Sequence, residues 1–293
     1  LLSKATVNRW GPVFAALYLP GTPHGATLSR RRWPAVAGSL RVSACALEDS
    51  AEVLRAKGHF AEAAALESND AFAFGIEAVA AGRSMTIFDP DYPDRWLTIL
   101  AESAPPALWR RTKRATEPGS LFAMVGSHAI EQTVHHFCAD VAREAVRLGY
   151  GVVSGGAVGC DAASADAARR ADGRVVVLLP YGIDLLDEDA ADLYLSLSAP
   201  TEPFSAPRAM ERNALIYAAA NHSFIGHARL REGGTWNGAS DAIRRRLTQA
   251  IVREDPDNPA HRALAALGAH EMKSPGDLEE TMARETAQKP LGI

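Results

Sequence analysis

The sequence predicts an α/β protein whose larger part is a doubly wound, mostly parallel sheet, preceded by a small N-terminal helical domain. Three observations predict it. From residue 121 onward, short apolar runs alternate with longer segments of helical period. The turns between them are rich in glycine. The run 174–179 (RVVVLL) is continuous in apolar residues, as parallel strands buried on both faces are.

The elements follow in order. Residues 1–35 carry Lys4, Arg9, Arg30, Arg31 and Arg32 and no acid, are punctuated by Gly21, Pro23, Gly25 and Pro34, and read as an irregular basic arm. The apolar stretch 10–19 inside it is broken by Pro12 and falls far short of the roughly 20 residues of a membrane span. It also lacks a signal-peptide cleavage pattern. Between 36 and 81, Val53, Leu54, Phe60, Ala64 and Leu66 suit two or three short amphipathic helices, with Gly58 at a turn. The predicted division is therefore 1–84, arm and helical domain, and 85–293, the sheet domain. The second opens with FDPDYPDRW (88–96) and Pro105–Pro106, whose prolines predict an extended connector anchored by Tyr92 and Trp96.

In the sheet domain the predicted order begins with a strand at 121–125 and a helix at 130–148 with Val134, Phe137, Val141 and Ala145 on one face. A strand at 150–153, a helix at 162–171 and a strand at 174–179 follow. Then come a strand at 194–198, a helix at 208–220, a strand at 222–225, a helix at 238–247 and a strand at 249–252.

Composition narrows the function. With 293 residues, 47% hydrophobic and 23% charged, the chain is no disordered segment, collagen-like repeat or disulfide scaffold. A net charge of −4 excludes coating nucleic acid by bulk charge, so any such contact uses a local surface. One is available: residues 205–253 hold eight arginines against Glu211, Glu232 and Asp241, whereas 184–192 holds five acids and no base. The three cysteines, Cys45, Cys138 and Cys160, form no Cys-x-x-Cys pair and fit a reduced, cytoplasmic protein. His135 and His136 have no carboxylate at metal-ligand spacing and read as structural, so no metal is expected.

Three turns rich in glycine and small hydroxyl residues carry the candidate chemistry: Gly126-Ser127, Ser154-Gly155-Gly156-Ala157-Val158-Gly159, and Gly233-Gly234-Thr235-Trp236-Asn237-Gly238. In a parallel sheet such turns gather at the carboxyl edge, where ligands bind. Glycine admits close approach of an anion, and the helix that follows offers free N–H groups. The plainer alternative is that these glycines only permit tight turns. SGGAVGCD does not match G-x-G-x-x-G, and no G-x-x-x-x-G-K-[ST] is present, so neither a dinucleotide nor an ATP cofactor is expected. Trp236 reads either as a face on which bases stack or as an apolar plug under the turn.

The order of these motifs resembles the DNA-processing protein A (DprA, or Smf) family. The resemblance rests on Asp89, Tyr92, Pro93 and Trp96, then Pro105-Pro106 and Leu108, then Val125-Gly126-Ser127. It continues through SGGAVGCDAAS (154–164), Pro207-Arg208, Arg212-Asn213, the Gly-Gly-Thr turn, and Asn258 with Gly268-Ala269. It covers about 89–268 and implies an extended Rossmann-like fold that binds single-stranded DNA, without catalysis, and helps load a RecA-class recombinase during natural transformation. Family members often form a homodimer. Carried over by position, Gly126, Ser127, Ser154, Gly155, Gly159, Arg208, Arg212 and Asn213 would line the strand path. Arginine supplies fork geometry for phosphate, and backbone amides with hydroxyls supply the remaining contacts.

Three departures stand out. His128 occupies the place of an arginine and is a weaker, pH-dependent cation; Ala165 replaces a histidine; and GGTWNGA replaces a Ser-Gly-Ser-Leu turn. The alternative is a nucleotide-binding protein or phosphoribohydrolase of the related LOG-like enzymes. Their Pro-Gly-Gly-x-Gly-Thr-x-x-Glu turn is met here only by Glu232-Gly233-Gly234-Thr235, and the next acid, Asp241, would lie about a helical turn away. A protein-interaction adaptor built on the alanine-rich helices is a third class.

Overall fold

A computed structural model describes residues 8–23, 28–41, 43, 46–114, 119–187 and 190–286. The chain folds as two compact units. One comprises Leu1–Thr112, Pro180–Asp187 and Tyr194–Arg208; the other comprises Lys113–Leu179, Glu188–Leu193 and Ala209–Ile293.

The first unit is built around a helix inside the expected basic arm. Helix α1 (Gly11–Tyr18) is buried along nearly its whole length, with Val13, Phe14, Ala15 and Leu17 fully enclosed. A helix apolar on every side belongs inside a core, and Pro12 sits in its first turn, where a missing N–H costs nothing. The arm is therefore not irregular at this point. Lys4 lies outside the described residues, and Arg32 is committed to the buried carboxylate of Glu62 at 3.1 Å. Helices α2 (Trp33–Arg41), α3 (Ser50–Ala56), α4 (Phe60–Glu67) and α5 (Asn69–Ala80) follow. Helix α5 packs on α1 through Gly75, where a Cβ would lie 2.3 Å from the Pro12 carbonyl oxygen.

Strand β1 (Ser84–Thr86) then pairs antiparallel with β2 (Ala107–Thr112), Met85 opposite Leu108. The segment between them is a closed loop rather than an extended connector. It contains the short helix α6 (Asp94–Ile99). The Tyr92 hydroxyl donates to the Pro105 carbonyl at 2.8 Å, Tyr92 and Trp96 meet edge to face, and Asp89 accepts from the Thr86 N–H at 2.7 Å. Tyr92 and Trp96 are thus buried anchors, as expected. A boundary at 84/85 would cut β1 in two; in the structure the hairpin belongs with the N-terminal helices.

The second unit carries the parallel sheet. Strand β3 (Leu121–Val125) leads through helix α7 (Gln132–Arg147) to β4 (Gly151–Ser154), and α8 (Cys160–Arg170) leads on to β5 (Val175–Leu179). After β6 (Leu193–Ser196), of which Tyr194–Ser196 belong to the first unit, and α9 (Ala206–Ala219), which enters the second unit at Ala209, come β7 (His222–Ile225), α10 (Gly233–Arg244), β8 (Gln249–Arg253), α11 (Pro259–Ala266), β9 (His270–Met272) and α12 (Leu278–Thr286). Within this unit the strands lie side by side as β5-β4-β3-β7-β8-β9, all parallel. From β3 the chain winds one way and from β7 the other, which is the predicted doubly wound, Rossmann-like arrangement. The reversal falls between β3 and β7, and crevices outside the carboxyl ends of strands open at such a point. Helix α7 buries Val134, Cys138, Val141, Ala142 and Ala145. The alanines of α8 allow α7 and α8 to lie close together. Among the described residues no helix is long and apolar enough to cross a membrane.

One element begins earlier than the sequence suggests. Residues 233–238, expected as a loop before a helix, are the first turn and a half of α10.

Candidate functional site

At the reversal point β3 ends in Gly126-Ser127 and β7 continues into Gly226-His227. The seam is bridged by the backbone: Gly226 N–H donates to the Val125 carbonyl at 2.9 Å. The Ser127 N–H and hydroxyl both donate to the His227 carbonyl, at 3.0 and 3.1 Å. Two thiols fill the space beneath. A Cβ on Gly126 would fall 2.3 Å from the Cys160 Sγ, and one on Gly226 would fall 2.3 Å from the Cys138 Sγ. Glycine is required at both strand ends because the start of α8 and the middle of α7 press against them. A hydrogen bond with the Cys138 thiol, together with burial, pushes the Cys160 thiol far above the ordinary range. Cys45 lies outside the described residues.

The second turn, 154–159, closes on itself. Its centre is Asp161, one residue inside α8 and only 5% exposed. The carboxylate accepts from the Gly155 N–H at 2.9 Å and, more weakly, from the Ala157 N–H at 3.5 Å. Ser154 is fully buried, and its Oγ accepts from Gly156 N–H at 3.4 Å. Gly156 and Gly159 both adopt positive φ. A side chain at Gly159 would run into the His128 and Ser127 carbonyl oxygens, 2.3 and 2.4 Å away. The Arg212 guanidinium lies over this turn, so close that a Cβ on Gly155 would meet its Nη1 at 1.7 Å. Burial raises the Asp161 carboxyl to about 6, while Arg212, the Gly155 and Ala157 amides, and His128 pull in the opposite direction. Tyr217, one and a half helical turns beyond Arg212, is buried against the same charges, and burial pushes its phenol up strongly.

In the structure the His227 carbonyl and the Asp161 carboxylate hold the Ser127 and Gly155 amides. The physical reason is burial: an amide enclosed at a strand end needs an acceptor from its own chain.

The third glycine segment is different. Gly233 and Gly234 are exposed at the start of α10, and Thr235 is half-buried. Glu232 precedes the helix without capping it through its side chain. Asn213, on α9, approaches this start: its Nδ2 would lie 3.9 Å from a Cβ on Gly234 and 3.4 Å from one on Gly238. Trp236 is only 9% exposed, so of its two readings burial supports the plug. Arg208 belongs to the first unit, where its guanidinium is bonded to the Glu202 carboxylate, the Pro203 carbonyl at 3.2 Å and the Ser205 hydroxyl at 3.1 Å.

The second unit therefore brings the 154–159 turn and Arg212 together at Asp161, with Gly126 and Ser127 packed against the start of the same helix at Cys160. Asn213 lies beside Gly234, and Arg208 is engaged elsewhere. Sequence reasoning missed Asp161, although an acid two positions after the glycine turn, at the second residue of a helix, is placed to reach back to the turn's amides. It also missed His227, whose contribution is a backbone carbonyl and leaves no trace in residue type. Among the described residues no group of three or more His, Cys, Asp or Glu could hold a metal ion.

The model of one family, the DNA recombination-mediator protein A family, matches residues 83–283. The chain belongs to that family. The match runs from the start of the β1–β2 hairpin into α12, so it spans the whole parallel sheet of the second unit. Two solved structures share the fold. DNA processing protein A from Streptococcus pneumoniae is 19% identical, with a TM-score of 0.63 over 86% of this chain and 93% of that one. DNA processing protein A from Helicobacter pylori, described for its unique single-stranded DNA binding mode, is 18% identical, with a TM-score of 0.57 over 69% of this chain and 97% of that one. No curated protein matches by sequence.

Proposed function

We propose that the parallel-sheet unit of this family member holds the sugar-phosphate backbone of single-stranded DNA along the carboxyl edge of its sheet, with little sequence preference. The open start of α10 carries this reading. Helix N-termini present unsatisfied N–H groups and a favourable dipole to a phosphate. Gly233 and Gly234 leave that end bare, Asn213 adds an amide donor beside it, and the Arg212 guanidinium supplies positive charge from the same helix as Asn213. The family and the binding mode named for the Helicobacter pylori relative support the same ligand. The protein acts as a binder rather than an enzyme, in the cytoplasm and without a cofactor. It passes the covered strand to a RecA-class recombinase and works as a homodimer.

The test is fluorescence anisotropy with labelled oligothymidine, comparing the wild type with Gly234→Asp. That position has no strained φ and no neighbour nearer than 3.9 Å. An acid near a helix start suits the dipole, so the fold is kept while phosphate is repelled. The expected result is a loss of tenfold or more in affinity, about 1.4 kcal/mol. Equal binding by the variant would remove α10 from the strand path.

A further inference from the structure

The β1–β2 hairpin of the first unit gathers arginines in a place where folding gains little from them. The Arg110 N–H donates to the Arg83 carbonyl at 2.7 Å, so the two residues stand opposite each other beside β1, and Arg111 is next along β2. Like charges directly across an antiparallel pair are unfavourable. All three arginines line one cavity of about 590 Å³, whose other charged lining residue is Asp184. The whole lining belongs to the first unit, and the volume suits a small ligand.

The contacts already made there are weak or easily exchanged. Arg83 is bonded to the Asp184 carboxylate, with its guanidinium 5.5 Å from the Trp109 ring centre. That ion pair is nearly half exposed on both sides, and such pairs contribute little. Arg110 donates to the Gly82 carbonyl at 3.3 Å and to the Asp89 carboxylate at 3.5 Å, with Asp91 at 4.0 Å. Arg111 donates to the Leu186 carbonyl at 3.5 Å. Bonds of this length are at the weak end, and a guanidinium carries five N–H donors. A doubly charged anion can therefore take the place of Asp184 on Arg83 and draw on Arg110 as well. Asp184 and the exposed Asp187 repel a long polyanion more than a compact one. Among the described residues no aromatic side chain lines the cavity, so it offers no face to a base.

We infer that this cavity binds a small phosphorylated compound, with Arg83, Arg110 and Arg111 holding its phosphate or diphosphate group. Guanidinium forks match phosphate oxygens in pairs, which a lone ammonium cannot do. The site shares no residue with the proposed strand path and does not rest on it.

The test is isothermal titration calorimetry of the full chain with inorganic pyrophosphate at low salt, beside anisotropy with oligothymidine. Five proteins are compared: wild type, Arg83→Gln, Arg111→Gln, Asp184→Asn and Gly234→Asp. The wild type should bind pyrophosphate with a Kd below about 1 mM. Each arginine variant should lose about tenfold, while Asp184→Asn, freed of a competing carboxylate, should bind about two- to fivefold tighter. Gly234→Asp should bind pyrophosphate as the wild type does, and the other three variants should keep wild-type affinity for oligothymidine. The inference is overturned if the wild type takes up no pyrophosphate, or if both arginine variants bind it unchanged. It is overturned equally if Gly234→Asp loses pyrophosphate, which would place the anion at the start of α10. Matching losses of oligothymidine in the arginine variants would assign the cavity to strand phosphates instead of a small compound. Melting curves check each fold; should an arginine variant unfold, Asp184→Asn decides, and binding no tighter than wild type counts against the site.

Discussion

Two glycine-rich segments of the same unit, 154–159 and 233–235, look alike in the sequence and do opposite things with their backbone. The first is closed: a buried carboxylate on the following helix occupies its amides, and a guanidinium lies on top. The second is open: it starts a helix, is exposed, and has no side-chain cap. The difference comes down to one acid. Asp161 sits where it can reach back into its own turn. In α10 the nearest following acid is Asp241, which is exposed and paired with Arg245 at 3.0 Å. Glycine content alone says that a backbone can be approached; whether an amide is left to meet a ligand depends on which acceptors the chain has already supplied.

The largest effect that would sharpen this contrast is steric. Gly159→Ala forces a Cβ into two carbonyl oxygens at positive φ and is expected to cost about 3 kcal/mol or more. Gly234→Ala, in open space within a helix, should be neutral or stabilising by up to about 1 kcal/mol. Urea unfolding of the two variants measures both, and equal costs would break the distinction between a closed turn and an open one.

A smaller effect follows from the raised carboxyl of Asp161. An acid whose folded value, about 6, lies above its ordinary 3.8 binds its proton more tightly in the folded state. Its contribution to stability is therefore full below about 4 and is lost as pH rises through about 6. Relative to Asp161→Asn, the wild type should lose stability as pH goes from 4 to 7, by about 3 kcal/mol at most. Urea midpoints of the two proteins across that range test it. A difference that does not change with pH would mean that the carboxyl is not buried as described.

What could be read in the sequence follows the range of the interactions involved. Strands β3 and β7 lie where the apolar runs 121–125 and 222–225 placed them, because local composition and flanking glycines mark a buried strand. Helix α1 escaped because a segment apolar on all sides has no period to detect, and Pro12 reads as a break although it sits in a first turn. The start of α10 escaped because glycines at 233 and 234 are poor helix formers. The pairing of β1 was not legible because its partner lies more than twenty residues ahead. Several of the candidate residues named in the sequence do lie close together, Arg212 over Gly155 and Ser127 against the start of α8. Their roles were not legible, since Arg212 meets Gly155 across 57 positions of chain and the acceptor for Ser127 is a carbonyl a hundred residues away.

The contrast between the closed turn and the open helix start can be read directly from backbone amides. In a nitrogen-15 NMR titration with oligothymidine, the N–H signals of Gly233, Gly234 and Thr235 should move most, and those of Ser127 and Gly155 should stay near their free positions. Large shifts at Ser127 and Gly155 with none at the start of α10 would contradict the account.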